Sequence, residues 1–161
     1  MTVVRRDGAT VVLELTEFER ELLNALLVDY EEVVSAEQDD VHDRLFPEGY
    51  RDDVDAAAEF RKYTRSGLVE RKTANAGAVT AALAQGSTID LATDAFDAWL
   101  PVLTDLRLVL AERLGIQTDD DEVPEDPAGD VYQWLGELQW FLLEALDEDE
   151  DEDADADEDS E

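Results

Sequence analysis

Basic side chains are scarce and clustered in this chain, which makes them the first candidates for specific chemistry. The sequence has 12 lysine and arginine residues against 44 aspartate and glutamate residues, and seven of the 12 lie between positions 44 and 72. Guanidinium and ammonium groups bind carboxylates and other anions through charge-assisted hydrogen bonds. We therefore predict a basic strip that docks an anion or an acidic partner, formed by Arg44, Arg51, Arg61, Arg65 and Lys72.

Two alternatives to partner docking are open for the basic strip. Its cations could pair with acids of the same domain, such as Glu17, Glu21 or Asp55, and contribute only to solubility and orientation. Alternatively, the acidic C-terminal end of the chain could occupy the strip until a partner displaces it, because a tethered segment has a high effective concentration.

Arg107 is a second cation with an unusual position. It lies four residues after Leu103, one after Leu106 and three before Leu110, near the apolar face of a predicted helix. A partly buried arginine needs a partner, or it must extend its charged end to solvent. We predict that Arg107 forms a structural ion pair that orients two helices.

Signals for catalysis or metal binding are weak. His42 is the only histidine and there is no cysteine, so nitrogen and sulfur ligands for a metal site are lacking. We expect His42 to be solvated in a polar loop. Neither a glycine-flanked nucleophilic serine nor a glycine-rich phosphate loop is present. The sequence thus predicts no catalytic residues, no metal and no cofactor.

Charge divides the chain into two parts. Residues 147–161, the acidic segment, contain twelve aspartates and glutamates, and the net charge of the whole chain is -32. Such a block repels itself and has little apolar surface to bury. We predict a single helical domain at 1–146 and a disordered polyacidic tail at 147–161. The charge also opposes nucleic acid and anionic membranes as partners.

Hydropathy favours a cytoplasmic protein. No apolar run approaches the roughly 18 residues that a membrane span requires. The N-terminus lacks both the long apolar stretch and the small-residue cleavage site of a signal peptide.

The periodicity of the chain predicts a mainly α fold: four to five packed helices with a small N-terminal β-hairpin. Asp7-Gly8 supplies the hairpin turn, and residues 87–91 are a possible third short strand. Thr16 and Glu19 have the form of a capping box at the start of the first helix. The apolar stripe of that helix comprises Phe18, Leu22, Leu23, Leu26, Leu27, Tyr30, Val33 and Val34.

Four further helices complete the predicted fold. Two consecutive helices are expected at Val54–Arg71 and Thr73–Ala84. A longer helix at Thr93–Leu114 would end at Gly115, which is suited to a C-cap. The last helix would begin at Pro127.

Two strings in the body of the chain are distinctive: LFPEGYRDD, at residues 45–53, and DLRLVLAERLG, at residues 105–115. With these strings, the body of the chain resembles the DUF2017 family of actinobacteria. The similarity extends over roughly residues 3–146 and leaves out the acidic segment. The resemblance implies no defined activity. It implies a possible link to proteolysis, because family members are often encoded near ClpS, the adaptor that delivers N-degron substrates to the Clp protease.

Three function classes follow. The first is a non-catalytic cytoplasmic interaction or regulatory protein, linked to Clp-dependent proteolysis by family association only. The second is a transcriptional regulator, in which the two helices at Val54–Arg71 and Thr73–Ala84 imitate a helix-turn-helix, although the charge of -32 opposes DNA binding. The third is a small-molecule-binding protein or an enzyme that uses carboxylates.

Overall fold

The fold is mainly α with a small antiparallel sheet, as the sequence predicts. The computed structural model describes residues 2–36, 42–45, 57–118 and 120–158, with the backbone alone at 43, 57–65 and 148–158. The elements in chain order are β1 (Val3–Asp7), β2 (Thr10–Glu14), α1 (Glu17–Ser35), α2 (His42–Leu45), α3 (Ala57–Leu83), β3 (Thr88–Ala92), a 3-10 turn (Thr93–Ala95), α4 (Phe96–Leu114) and α5 (Pro127–Glu158).

The three strands form one sheet in the order β1-β2-β3. The hairpin joins β1 to β2 with Val3 opposite Glu14 and Asp7 opposite Thr10. Gly8 takes a φ of 63°, a left-handed conformation that costs glycine little. The predicted third strand is confirmed: β3 pairs antiparallel with the other edge of β2. Two strands alone are marginally stable, and this third strand makes β2 the centre of the sheet.

Local capping sets the ends of three helices where the sequence predicts them. The Thr16 hydroxyl accepts a hydrogen bond from the backbone N–H of Glu19 at 3.1 Å, and the Glu19 carboxylate accepts one from the Thr16 N–H at 2.8 Å. Gly115 ends α4 with a φ of 74°. Asp126 accepts a hydrogen bond from the Gly129 N–H at 2.8 Å, so it caps the start of α5.

The prediction of separate helices at Val54–Arg71 and Thr73–Ala84 is wrong, because α3 is one continuous helix from Ala57 to Leu83. The predicted boundary between Lys72 and Thr73 contains neither proline nor glycine, and the alanines that follow favour helix. Nothing local therefore breaks the hydrogen-bond ladder. The helix-turn-helix interpretation loses the turn on which it rests.

The last helix runs into the acidic segment. Its bounds are Pro127–Glu158, whereas the sequence predicts a disordered tail from residue 147. A helix that is already formed adds residues without a new nucleation step, and glutamate and alanine are good helix formers. Repulsion between acids and their position at the negative end of the helix dipole act against this extension. The domain boundary at residue 146 stays a prediction.

The core lies between the sheet and the helices, with α4 at its centre. This helix contacts α1, α2, α3 and α5, while α5 also packs against β1. The core side chains that are largest and most deeply buried include Trp99, Tyr30, Leu13, Leu103 and Leu138. None of the described helices has an apolar stretch long enough to cross a bilayer.

We expect the helix content of the acidic segment to depend on ionic strength. Added salt screens the repulsion among its carboxylates, since the Debye length falls from about 10 Å at 0.1 M to about 3 Å at 1 M. The helical ellipticity of the full chain should rise between these concentrations relative to that of a chain ending at Leu146. An identical salt response of the two chains would contradict this expectation.

Candidate functional site

The described cations of the basic strip are paired with acids of α4. Arg44 Nε lies 2.9 Å from Glu112 Oε2, and Lys72 Nζ lies 2.7 Å from Asp105 Oδ2. These acids differ from the ones that the sequence suggested. Internal pairing thus accounts for Arg44 and Lys72.

The other three members of the basic strip have no described side chains. Arg51 lies outside the described residues, and at Arg61 and Arg65 only the α3 backbone is described. Docking of an anion through Arg61 and Arg65 stays a prediction.

Asp105 is the centre of a buried polar cluster that the sequence analysis missed. Its side chain accepts a hydrogen bond from the Tyr30 hydroxyl at 2.5 Å and one from Lys72 Nζ at 2.7 Å, both on Oδ2. Asp105 is only 7% exposed. The cluster joins α1, α3 and α4. The sequence signal that could have revealed this cluster is an acid between Leu103 and Leu106 on an apolar helix face.

The interactions of this cluster stabilise the packing of three helices. A buried carboxylate is costly unless it is paired and hydrogen-bonded, and Tyr30 and Lys72 meet both requirements. Burial raises the pKa of Tyr30 well above its usual range, and the adjacent Asp105 carboxylate raises it further. The phenol therefore stays protonated and donates to the carboxylate.

Replacing Tyr30 by phenylalanine should remove part of the alkaline sensitivity of the fold. An unfolded tyrosine ionises near pH 10, whereas Tyr30 keeps its proton when folded. Its contribution to stability is therefore present below pH 10 and is lost as the pH rises, by about 1.4 kcal/mol between pH 9 and pH 11. Urea unfolding of the wild type and Tyr30→Phe at both pH values measures this difference. Equal losses in the two proteins would contradict it.

Arg107 lies in a different environment from the predicted ion pair. Its guanidinium carbon is 4.9 Å from the centre of the Tyr132 ring, which is a cation–π contact. The guanidinium also lies against Gly136, where an added Cβ would approach it to 3.4 Å. Arg107 Nε is buried without a hydrogen-bond partner. Among the described residues, no carboxylate pairs with Arg107.

The Arg107→Met variant should therefore change the free energy of unfolding by no more than about 1 kcal/mol. Loss of the cation–π contact is offset by removal of a buried donor that lacks an acceptor, which costs about 1–3 kcal/mol. Urea unfolding provides the measurement, with Arg5→Met, at an exposed arginine of β1, as the control. A loss of about 3–5 kcal/mol, typical for one partner of a buried ion pair, would restore the ion-pair interpretation.

His42 is buried rather than solvated, so that expectation is wrong. It begins α2, is 8% exposed, and its Nε2 lies 2.7 Å from the Val33 carbonyl oxygen. The contact links α2 to the end of α1. The polar residues around His42 suggested a solvated loop. The hydrogen bond to Val33 could not be predicted from them, because it depends on how α2 lies against α1.

An apolar groove lies between the first turns of α1 and α5, and we name it the α1–α5 groove. It has a volume of about 440 Å³, within the range of ligand and peptide sites. Its lining consists of Thr16, Phe18, Glu19, Leu22, Pro127, Asp130, Val131 and Trp134.

The groove exists because the apolar stripe of α1 is wider than the part of its surface that α3 and α4 cover. Leu23, Leu27 and Tyr30 are buried, whereas Phe18, which the sequence places in the same stripe, is 73% exposed. Helix α1 packs on α3 and α4, and α5 packs on α4 and β1, with few contacts between α1 and α5 themselves. One edge of the stripe is therefore uncovered.

A hydrogen-bond relay fixes one side of the groove. Trp134 Nε1 donates to the Thr2 hydroxyl at 2.8 Å, and that hydroxyl donates to Glu19 Oε2 at 2.5 Å. Burial raises the pKa of Glu19, but hydrogen bonds from Thr2 and Thr16 outweigh it and hold the pKa below its usual range. The Glu19 carboxylate is therefore ionised at neutral pH, and the Trp134 ring is held in place.

The lining of the α1–α5 groove is apolar and acidic. The groove combines apolar side chains with two acids, and the described residues that line it include no lysine or arginine. Among the described residues, no group of three or more histidines, aspartates and glutamates is placed to hold a metal ion.

Comparison with known proteins identifies the domain that carries this groove. A family model, described as a domain of unknown function, DUF2017, matches residues 1–146. The chain belongs to the DUF2017 family. No curated protein and no solved structure matches the chain. The DUF2017 match includes every residue of the groove and of the Asp105 cluster, and it ends where the acidic segment begins.

Proposed function

We propose that this DUF2017 protein is a non-catalytic cytoplasmic interaction protein that binds a protein partner at the α1–α5 groove. The observation that carries the proposal is the exposed Phe18 beside a half-buried apolar surface. Isolated exposed apolar residues are ordinary, but a contiguous concave patch marks interaction surfaces. Aromatic side chains at the centre of such a patch commonly supply much of the binding energy.

The groove is a better candidate for the docking surface than the described part of the basic strip. Arg44 and Lys72 are already held by carboxylates, and a partner would have to break those pairs. By contrast, the Phe18 ring gains burial without losing an internal contact. The partner class that we propose is a component of Clp-dependent proteolysis, which rests on family association.

Substitution of Phe18 by aspartate should abolish partner binding while leaving the fold intact, since the ring is mostly exposed. The test is titration of full-length protein with purified ClpS and with purified Clp ATPase subunits. We expect Kd to rise at least about tenfold for Phe18→Asp, as for a hot-spot residue. Val28→Asp is the matched control, because Val28 is 61% exposed on the same helix but does not line the groove.

Two outcomes would redirect this proposal. If Phe18→Asp binds normally while charge reversal at Arg61 and Arg65 abolishes binding, docking belongs to the basic strip. If neither Clp component binds the wild type, the proposed link to proteolysis fails.

A further inference from the structure

We infer that the α1–α5 groove accepts a cationic amphipathic helix, that is, a partner segment with apolar side chains on one face and lysine or arginine beside them. This inference rests on the proposed function and names the occupant of the same surface. Its support comes from the shape of the groove, the spacing of its apolar residues and the sign of its charge.

The shape favours a helix over an extended peptide. All the residues that line the groove except Thr16 belong to α1 or α5, so the walls offer side chains rather than free strand edges. Recognition of an extended strand depends on a row of unpaired backbone donors and acceptors along a strand edge, and neither wall is a strand. A helix in this position would pack against α1 and α5 and cover the uncovered edge of the α1 stripe.

The spacing of the lining matches such an occupant. Phe18 and Leu22 lie one turn apart on α1, and Val131 and Trp134 lie one turn apart on α5. Each pair forms an apolar row along its helix. A partner helix with apolar residues at i, i+3 and i+4 would place them between these two rows.

The negative charge of the groove favours a partner segment that is positively charged. Glu19 and Asp130 line the groove, its described lining contains no lysine or arginine, and the whole chain carries -32. Glu19 is held by hydrogen bonds inside the protein, so Asp130, which is exposed, is the acid that can contact a cation directly. An acidic peptide or an anionic membrane would be repelled, whereas lysine or arginine would be attracted and oriented.

A designed peptide provides a direct test with the full-length protein. The probe is a labelled 18-residue helix of leucine and lysine with all leucines on one face, and binding is followed by fluorescence anisotropy at about 0.15 M salt. Its scrambled isomer has the same charge but no apolar face, so it reports only the non-specific attraction of a cationic peptide to this acidic protein. We expect the amphipathic peptide to bind at least about tenfold more tightly than the scrambled one.

Matched variants locate the binding site. Phe18→Ala should weaken binding of the amphipathic peptide about tenfold, whereas Val28→Ala should leave it unchanged. Asp130→Asn should weaken binding several-fold and reduce its salt dependence. Asp97→Asn, an exposed acid near the start of α4 and outside the groove, should have no effect.

Three results would overturn the inference. Equal binding of the two peptides, with no effect of Phe18→Ala, would mean non-specific charge attraction only. Self-association of the wild type that Phe18→Ala abolishes in sedimentation would make a second copy the occupant. Failure of the peptide while Phe18 still controls binding of a Clp component would overturn the helical cationic occupant but leave the groove as the docking surface.

Discussion

The pairing of the buried Asp105 carboxylate with Tyr30 and Lys72 is the constraint on which the arrangement of the helices depends. One oxygen of Asp105 receives both partners, which come from α1 and α3, so a single atom fixes two helices relative to α4. Apolar packing alone tolerates small shifts along a helix, whereas a buried charge does not. The same constraint sets α1 against α3 and α4, and the outer edge of α1, which α5 does not cover, forms one wall of the groove.

Features that depend on neighbouring residues were predictable from the sequence. The capping box at Thr16, the left-handed Gly115 and the turn at Gly8 each need only a few adjacent positions. The third strand was also found, because its alternation and its place after a glycine are local signals. The wrong helix boundary at Lys72-Thr73 came from the same kind of local reasoning. It relied on a change in composition, although the absence of proline and glycine there was the stronger signal.

The candidate site was not predictable in the same way. Tyr30 and Asp105 are 75 residues apart, and Lys72 and Asp105 are 33 residues apart, so no spacing rule connects them. Phe18 belongs to the apolar stripe of α1 by periodicity and is exposed only because α5 packs elsewhere. Arg107 was identified as unusual from its apolar neighbours, but its contact with the Tyr132 ring depends on the pairing of α4 with α5.

The contact between Arg6 and α5 limits how far the last helix can fray from its C-terminal end. Arg6 Nη1 donates to the Ala145 carbonyl oxygen at 3.4 Å, two residues before the acidic segment begins. Ala145 is buried, and the next residue, Leu146, is packed against the core. Unwinding that starts at the charged end therefore meets an anchored turn before it reaches the core. We therefore expect unwinding of residues 147–158 to leave the packing of the domain in place.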